Sequence, residues 1–273
     1  MAKIYHYTTI DTLALIMLNK TIRFNRLDHV DDIEEAIYGS GPLGLKVCRY
    51  AFVSCWTRNK EENQDLWQKY ANNGKGIRIS LDEDMFETYQ INEQFYAFFQ
   101  DWHKIIGDCV FDLPLNQAKL YDVKYVEDNK ERIKQAVTQE GRYININHNE
   151  IGLYKRKDDW EQQGESRFKL FALPSNQEAS ENINSNDVNK IFSAEDTFTT
   201  LLISNHKVKL DYVDMPLKKG VLDSIQVTMG PETTKEDKAK VHRILFPYPF
   251  TRIFSKRRIV NSCLKVNKHM ITN

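Results

Sequence analysis

The sequence predicts a single α+β domain that spans residues 1–273. Strand-like and helix-like segments follow one another without the regular βαβ rhythm of a parallel α/β sheet. Hydrophobic residues make up 41% of the 273 positions, which is enough to bury a sizeable core. No linker rich in Pro, Gly or Ser divides the chain, so one domain is favoured over two.

Strand candidates are runs in which β-branched and aromatic residues are frequent or alternate with polar ones. They cover residues 4–8, 21–24, 50–57, 76–81, 120–126, 167–172, 208–213, 224–229, 252–254 and 259–266. The run at 50–57, YAFVSCWT, is strongly apolar and predicts a buried central strand. In the run at 167–172, alternating positions favour a strand with one face toward the core.

Helix candidates repeat apolar side chains at three- and four-residue spacing and often follow a capping residue. They cover residues 10–20, 61–73, 82–106, 129–139 and 233–245. Residues 145–149 are expected to form a loop. Residues 174–190, PSNQEASENINSNDVNK, are the most polar stretch of the chain, and we expect a mobile loop there.

Composition and motifs argue against several classes of function. Lys+Arg and Asp+Glu both number 38, so no general electrostatic attraction for nucleic acid is indicated. Four scattered cysteines are typical of free thiols in a reducing cytosol. Without a membrane-length apolar run or a signal-peptide pattern, we expect a cytoplasmic protein with no membrane partner. GxGxxG, GxxxxGK[ST] and GxSxG are absent, so Rossmann, P-loop and hydrolase-elbow sites are not supported.

An acidic segment at residues 28–35, DHVDDIEE, follows the second strand candidate. It is consistent with a solvated loop and an acid-rich helix start, or with a carboxylate cluster that holds a metal ion. Its spacing specifies no metal geometry, so we favour the solvated loop and predict no metal.

The segment 157–173, KDDWEQQGESRFKLFAL, places a charged turn directly before a strand. Glu165 lies at the mouth of that strand, where a carboxylate can act on a bound substrate. His6 lies where the first strand gives way to the first helix, and Ser54 and Trp56 lie near the end of the apolar strand. These positions make the four residues candidates for a site.

Each candidate also has a purely structural interpretation. His6 can cap the first helix or bond to a backbone carbonyl, and Glu165 can form an ion pair with Arg167 on the same strand face. The tryptophans can all be core residues.

Six short motifs also follow one another in order along the chain. They are Tyr5-His6-Tyr7-Thr8, Arg23-Phe24, Ser54-Cys55-Trp56-Thr57, Trp67 to Ala71 with Gly76, Trp160 with Glu165 and Arg167, and Ile225 to Gly230. This ordered set resembles a bacterial family of uncharacterised domains and covers most of the chain. The family's Asn-Asp-Pro-x-Glu element has lost its proline here, where it reads DDIEE at residues 31–35.

The arrangement also resembles the ADP-ribosyltransferase superfamily, including toxins that modify nucleic acids. The resemblance implies a split mixed or antiparallel sheet with flanking helices. It implies that Glu165 is catalytic, with Gln163 orienting the acceptor. It further implies a set of residues that contact NAD, with Arg23 or Arg78 suited to the pyrophosphate. That set is His6, Tyr7, Thr8, Arg23, Ser54, Trp56, Trp67 and Tyr70.

The resemblance implies an NAD-dependent ADP-ribosyltransferase, a toxin or phage-defence effector acting on a macromolecule such as DNA or RNA. Such an activity would require an antitoxin or another regulatory protein. Two alternatives stay open. One is a metal-dependent nuclease or phosphoesterase that uses Asp31, Asp32, Glu35 and Glu165. The other is a non-enzymatic module that binds NAD or a nucleotide.

Overall fold

The computed structural model describes residues 2–32, 34–35, 44–87, 103–112, 119–128, 136–141, 143–183, 185, 187–248 and 256–264. Within these ranges the chain forms one large mixed sheet, two small two-stranded sheets and six α-helices. The mixed α/β character predicted from the sequence is therefore confirmed.

The strands are numbered in chain order. They are β1 (Lys3–Thr8), β2 (Thr21–Arg26), β3 (Ala51–Thr57), β4 (Ile77–Asp82), β5 (His103–Ile106), β6 (Cys109–Asp112), β7 (Leu120–Asp122), β8 (Lys124–Val126), β9 (Val137–Glu140), β10 (Tyr143–Ile146), β11 (Tyr154–Arg156), β12 (Glu165–Pro174), β13 (Tyr212–Pro216), β14 (Gln226–Met229) and β15 (Arg258–Asn261). The helices are α1 (Ile10–Asn19), α2 (Gln64–Tyr70), α3 (Lys157–Trp160), α4 (Gln177–Asn182), α5 (Val188–Ile203) and α6 (Lys235–Leu245).

Eight strands cross the large sheet in the order β15-β14-β4-β1-β3-β12-β6-β5. β2 also pairs with β3, β13 pairs with β2, and β7 pairs with β12. The pair β14–β15 is parallel, whereas its neighbour β14–β4 is antiparallel, as is the central pair β12–β3. The large sheet is therefore mixed but mostly antiparallel.

The sheet divides along one edge of β3. The opposite edge pairs with β12 over the whole of β3. On the divided edge, β2 pairs with the first half of β3 near Val53, and β1 pairs with its last residue, Thr57. Among the described residues, neither strand pairs with positions 54–56 between these contacts. Because α1 connects the diverging strands β1 and β2, an open notch forms beside the middle of β3.

The main core lies where α1 and α6 pack against the large sheet. Thr9 caps α1 by accepting a hydrogen bond from the Thr12 N–H, and α1 buries Leu13 and Ile16 in the core. α6 starts with a capping box between Thr234 and Asp237. Such caps satisfy backbone groups that a helix start leaves unpaired. The two helices thereby hold β1 in place beside the notch.

The prediction of a mobile loop at residues 174–190 is wrong. Helix α4 occupies 177–182, and α5 begins at Val188. The side chains of Asn176 and Asp187 accept hydrogen bonds from first-turn N–H groups of the two helices. Asn and Asp favour helix caps as strongly as turns, so their abundance here marked helix starts.

Two predicted helices are wrong wherever the structure describes them. Within the expected helix 82–106, Phe86 forms a β-bridge with Leu217 and the segment ends in β5. The expected helix 129–139 ends in β9. Residues 88–102 and 129–135 lie outside the described part of the chain. Apolar spacing alone separates helix from strand poorly in such segments.

Smaller differences concern boundaries. The expected strand 208–213 begins only at Tyr212, the expected loop 145–149 begins within β10, and the helix at 61–73 shortens to α2. The last strand, β15, ends at Asn261. The strand candidate 252–254 lies outside the described residues.

Candidate functional site

The notch beside β3 opens into a cavity of about 440 Å³. Its wall is built from β1, α1, β2 and β3, with contributions from α2 and from the segment before β12. Nine of the ten residues predicted as site residues line this cavity: His6, Tyr7, Thr8, Arg23, Ser54, Trp56, Tyr70, Gln163 and Glu165. Segments far apart in sequence therefore meet at one place.

Trp67 does not line the cavity. Its side chain is fully buried in a small cluster with Tyr7, Leu66 and Ala71, and its ring meets the Tyr7 ring edge-on. The indole N–H donates to a Glu62 carboxylate oxygen at 3.0 Å. Trp67 therefore supports Tyr7 from behind, and the prediction that Trp67 contacts a ligand is wrong for this cavity.

His6 closes the unpaired edge of β3. Its Nδ1 lies 2.7 Å from the Cys55 carbonyl oxygen, so Nδ1–H donates this bond and Nε2 of the neutral ring keeps a lone pair. Burial lowers the pKa of His6, although the carbonyl acts in the opposite direction. The expected structural role as a donor to a backbone carbonyl is therefore present, and the ring also lines the cavity.

Trp56 and Ser54 form a rigid aromatic wall next to His6. The Trp56 indole N–H donates to Ser54 Oγ at 3.0 Å. The His6 and Trp56 ring centroids are 5.1 Å apart, and the rings are tilted by 36°. Because the indole donor is satisfied within the protein, the ring presents an apolar surface that suits a flat ligand.

Glu165 belongs to the other face of the sheet. It pairs with Thr57 in the antiparallel register, and Arg167 pairs with Cys55. Directly opposed residues share a face and neighbours alternate, so Trp56 and Ser54 point the opposite way. Glu165 and Trp56 can line one cavity because, among the described residues, β1 and β2 leave positions 54–56 of β3 unpaired on the notch side. The sequence patterns did not predict this approach from two faces.

Glu165 is held in a buried cluster of four charged side chains. Arg167 donates to Glu165 through Nε at 2.6 Å, and Lys155 Nζ lies 2.9 Å from the second carboxylate oxygen. Arg167 also forms a bidentate pair with Glu35. Arg167, Lys155 and Glu35 are each at most 1% exposed. The ion pair between Glu165 and Arg167, one of the structural interpretations, is thus present.

The cluster overturns the expectation that residues 28–35 form a solvated loop. Glu35 is fully buried against Arg167, and Asp32 is only 4% exposed. The sequence motifs also missed Lys155, which lines the cavity. Glu35 and Arg167 are 132 residues apart in the sequence, so no local pattern could pair them.

The cluster keeps Glu165 ionised. Burial alone would raise the pKa of Glu165, but Arg167 and Lys155 outweigh it and lower the pKa from 4.5 to about 2. Burial, followed by the Glu165 charge, raises the pKa of the neighbouring Cys55 thiol. The site therefore presents a permanent carboxylate beside a protonated thiol at neutral pH.

Gln163 is fixed by a short hydrogen-bond relay. The Gln163 amide donates to the Tyr70 hydroxyl at 3.3 Å, and that hydroxyl donates to Asp31 at 2.6 Å. Burial, and then the bond to Asp31, raises the pKa of Tyr70. Gly164 follows in the left-handed region at φ 52°, which lets the chain turn sharply into β12. Gln163 and Glu165 are thus presented side by side at the cavity.

Arg23 lies at the cavity rim and already has partners. Its guanidinium pairs bidentately with Asp214 at 2.9 and 3.0 Å and lies 3.5 Å from the Tyr212 ring centroid. A phosphate would compete with Asp214 for the same donors. Arg78, the other candidate for a pyrophosphate, is buried beside Tyr5 and is not among the cavity-lining residues.

Comparisons with known proteins found no match to a protein-family model, a curated protein or a solved structure. Across the described ranges, no group of three or more His, Cys, Asp or Glu side chains is arranged to hold a metal ion. The four cysteines, which all lie in the described ranges, form no disulfide bond. In the same part of the chain, every helix is too short or too polar to cross a membrane.

Proposed function

We propose that the chain is an NAD-dependent ADP-ribosyltransferase and that the notch cavity is its NAD site. The observation that carries this proposal is that one cavity gathers His6, Trp56, Gln163 and Glu165 at the divided edge of the sheet. This division fits the split sheet of the ADP-ribosyltransferase fold that the sequence resembles. A volume of about 440 Å³ also suits a nucleotide-sized ligand.

The residues fit the parts of NAD in a defined way. The nicotinamide ring stacks in the apolar corner formed by Trp56 and His6. The lone pair on His6 Nε2 accepts a hydrogen bond from a ribose hydroxyl, since Nδ1 is engaged with the Cys55 carbonyl. The pyrophosphate lies toward the rim and draws Arg23 away from Asp214.

In the proposed reaction, the bond between C1′ of the ribose and the nicotinamide nitrogen breaks. The electron pair leaves with nicotinamide, and an acceptor nucleophile forms a new bond to C1′ and loses a proton to solvent. Glu165 stabilises the positive charge that develops on the ribose. With a pKa of about 2, its carboxylate is a weak base, so electrostatic stabilisation is its main role.

We further propose that this transferase acts in the bacterial cytoplasm as a toxin or phage-defence effector. The acceptor is a macromolecule, with DNA and RNA the first classes to test. An antitoxin or another regulatory protein would restrain it. These assignments rest on the resemblance in sequence motifs.

The test is incubation of the purified chain with NAD labelled in its ADP-ribose part, alone and with DNA, RNA or mixed protein. Wild type is expected to release nicotinamide and to label one acceptor class, and Glu165→Gln is expected to lose at least about 100-fold in rate. Glu195→Gln, on the exposed face of α5, is the matched control. Circular dichroism must show that each variant is folded. If wild type releases as little nicotinamide as Glu165→Gln does, the transferase is refuted.

One observation favours a second function, that of a non-enzymatic NAD or nucleotide sensor. Both oxygens of Glu165 are already engaged by Arg167 and Lys155, which suits a purely structural carboxylate. A sensor predicts that NAD raises the melting temperature without release of nicotinamide. The transferase predicts both the shift and the release.

A further inference from the structure

A second cavity lies beside the first and is strongly acidic. It is lined by Asp31, Asp32, Glu34, Asp158, Asp159 and Trp160. Two basic residues, Lys69 and Arg156, also line it. Five carboxylates against two basic groups give the lining a formal charge of −3. Phosphate groups would be repelled here, whereas cations would be attracted.

Asp32, which lines this cavity, has a side-chain oxygen whose hydrogen-bonding capacity is unmet. It is only 4% exposed, and its Oδ1 accepts a hydrogen bond from the Glu34 N–H at 3.0 Å. Its other oxygen, Oδ2, is buried and has no hydrogen-bond partner in the part of the chain that the structure describes. A buried carboxyl oxygen without a donor is costly, so such groups are rare and often mark where a ligand binds.

The basic residues of the lining do not fill this need. Arg156 donates to Asp159 at 2.5 Å and lies 3.9 Å from Glu34. Lys69 is exposed, and its Nζ lies 4.6 Å from the centroid of the Trp160 ring. That contact shows that the Trp160 ring face accepts a cation, and the long, solvated Lys69 side chain is readily displaced.

We propose that this acidic cavity binds a guanidinium group, the arginine side chain of a polypeptide. A guanidinium is planar and presents several N–H donors in its plane, so it can stack on Trp160 while it donates to Asp32 Oδ2 and to Asp31. A lysine ammonium lacks the flat face and the paired donors. A small metal ion would require several convergent oxygen ligands, and the described residues offer no such group.

The site is independent of NAD chemistry, but it adjoins the first cavity. Asp31 lines both cavities. It accepts a hydrogen bond from the Tyr70 hydroxyl, and that hydroxyl accepts one from the Gln163 amide. Lys155, which pairs with Glu165, lies 4.1 Å from the Trp160 ring centroid. If the first cavity is a transferase site, a bound arginine side chain is therefore connected to Gln163 through Asp31 and Tyr70. In that case the acidic cavity selects a polypeptide partner by its arginine.

The test is a titration of the full chain, without NAD, with acetyl-arginine methylamide. The matched probes are the lysine and citrulline methylamides, and the signal is the Trp160 indole N–H resonance, assigned with Trp160→Phe. The arginine probe is expected to shift this resonance saturably, and to bind at least about tenfold more tightly than either other probe.

Asp32→Asn is expected to weaken binding of the arginine probe by at least about tenfold, because a charged hydrogen-bond partner is lost. Asp196→Asn, an exposed change on α5, is the matched control and should bind as wild type does. Equal binding of the citrulline or lysine probe by wild type would overturn the proposal, whatever the folding of the variants. Displacement of the arginine probe by Mg²⁺ at constant ionic strength would make the cavity a metal site and would equally overturn it.

Discussion

Glu165 is the residue at which stability and the proposed chemistry meet. Its carboxylate shares Arg167 with Glu35 and holds Lys155, so the four charges balance inside the protein. Removal of one member of a buried ion pair leaves a charge uncompensated. We therefore expect Glu165→Gln to lower the free energy of unfolding by about 3–5 kcal/mol at neutral pH. Urea denaturation measures this loss directly. A loss no larger than that of the control variant Glu195→Gln would contradict the prediction.

The pH dependence of this loss follows from the direction of the shift. The folded-state pKa of Glu165 is lowered from 4.5 to about 2, so the unfolded chain binds its proton more readily. The stabilisation is complete above about pH 4.5 and disappears as the pH falls toward 2. The difference in unfolding free energy between wild type and Glu165→Gln should therefore shrink over this range. A difference that stays constant would show that folding does not lower the pKa of Glu165.

His6 makes a second prediction at the scale of one residue. Its Nδ1–H satisfies the Cys55 carbonyl at the unpaired edge of β3. His6→Ala would leave that carbonyl without its donor and should cost about 1–3 kcal/mol of stability. His6→Asn places an amide donor near the same position and should restore part of the loss. Equal losses in the two variants, measured by urea denaturation, would show that the hydrogen bond is unimportant.

Sequence patterns placed Glu165 correctly at the start of a strand, because local periodicity reveals where a strand begins. His6, expected at the strand-to-helix junction, lies inside β1, two residues before that strand ends at Thr8. The same patterns could not reveal Lys155 and Glu35 as partners of the Glu165–Arg167 pair. Those contacts depend on how distant segments pack. In the sequence, Glu35 is only one of several acidic residues in the polar segment 28–35. The sequence therefore predicted the Glu165–Arg167 pair but not the other two members of the buried charge cluster.

At the scale of elements, the stretch 174–190 shows why composition misled. Its Asn and Asp residues act as caps, and α5 buries one face at helical spacing through Ile191, Ala194, Phe198 and Leu202. These buried residues all lie after residue 190, so the polar stretch 174–190 alone contained no helical repeat of apolar residues. By contrast, β1, β3 and α1 agree closely with their predicted ranges. In each of these three elements, the residues that indicate helix or strand all lie within the element itself.

Helix α6 allows a test of capping at this scale. Thr234 Oγ1 accepts from the Asp237 N–H at 3.1 Å, and Asp237 in turn accepts from the Thr234 N–H at 2.9 Å. Thr234→Ala should lower the free energy of unfolding by about 1 kcal/mol. Thr199→Ala, at an exposed position inside α5, is the control and should change stability by less. The same loss in both variants would mean that the cap contributes nothing specific.

At the scale of the whole molecule, two cavities of different chemistry share one wall. The first is lined by His6 and Trp56 beside an ionised Glu165, and the second by carboxylates around Trp160. Sequence patterns suggested only the first, because the acids of the second come from residues 31–34 and 158–159 and meet only after folding. Asp31 lines both cavities, and the Tyr70 hydroxyl, which lines the first, donates a hydrogen bond to it. Ligands in the two cavities are therefore expected to influence each other.

Tyr70→Phe tests this coupling, because it removes the hydroxyl that joins Asp31 to Gln163 and leaves the ring in place. If the first cavity binds NAD as proposed, NAD is expected to order Gln163, and the Gln163–Tyr70–Asp31 hydrogen bonds are expected to hold Asp31 toward the acidic cavity. NAD should therefore tighten binding of acetyl-arginine methylamide by about fivefold, a coupling of about 1 kcal/mol. In Tyr70→Phe each ligand should still bind alone, but the coupling should vanish. Calorimetric titrations of each ligand with and without the other measure both quantities. Coupling that persists in Tyr70→Phe would place the connection elsewhere, with the Lys155–Trp160 contact the next to test.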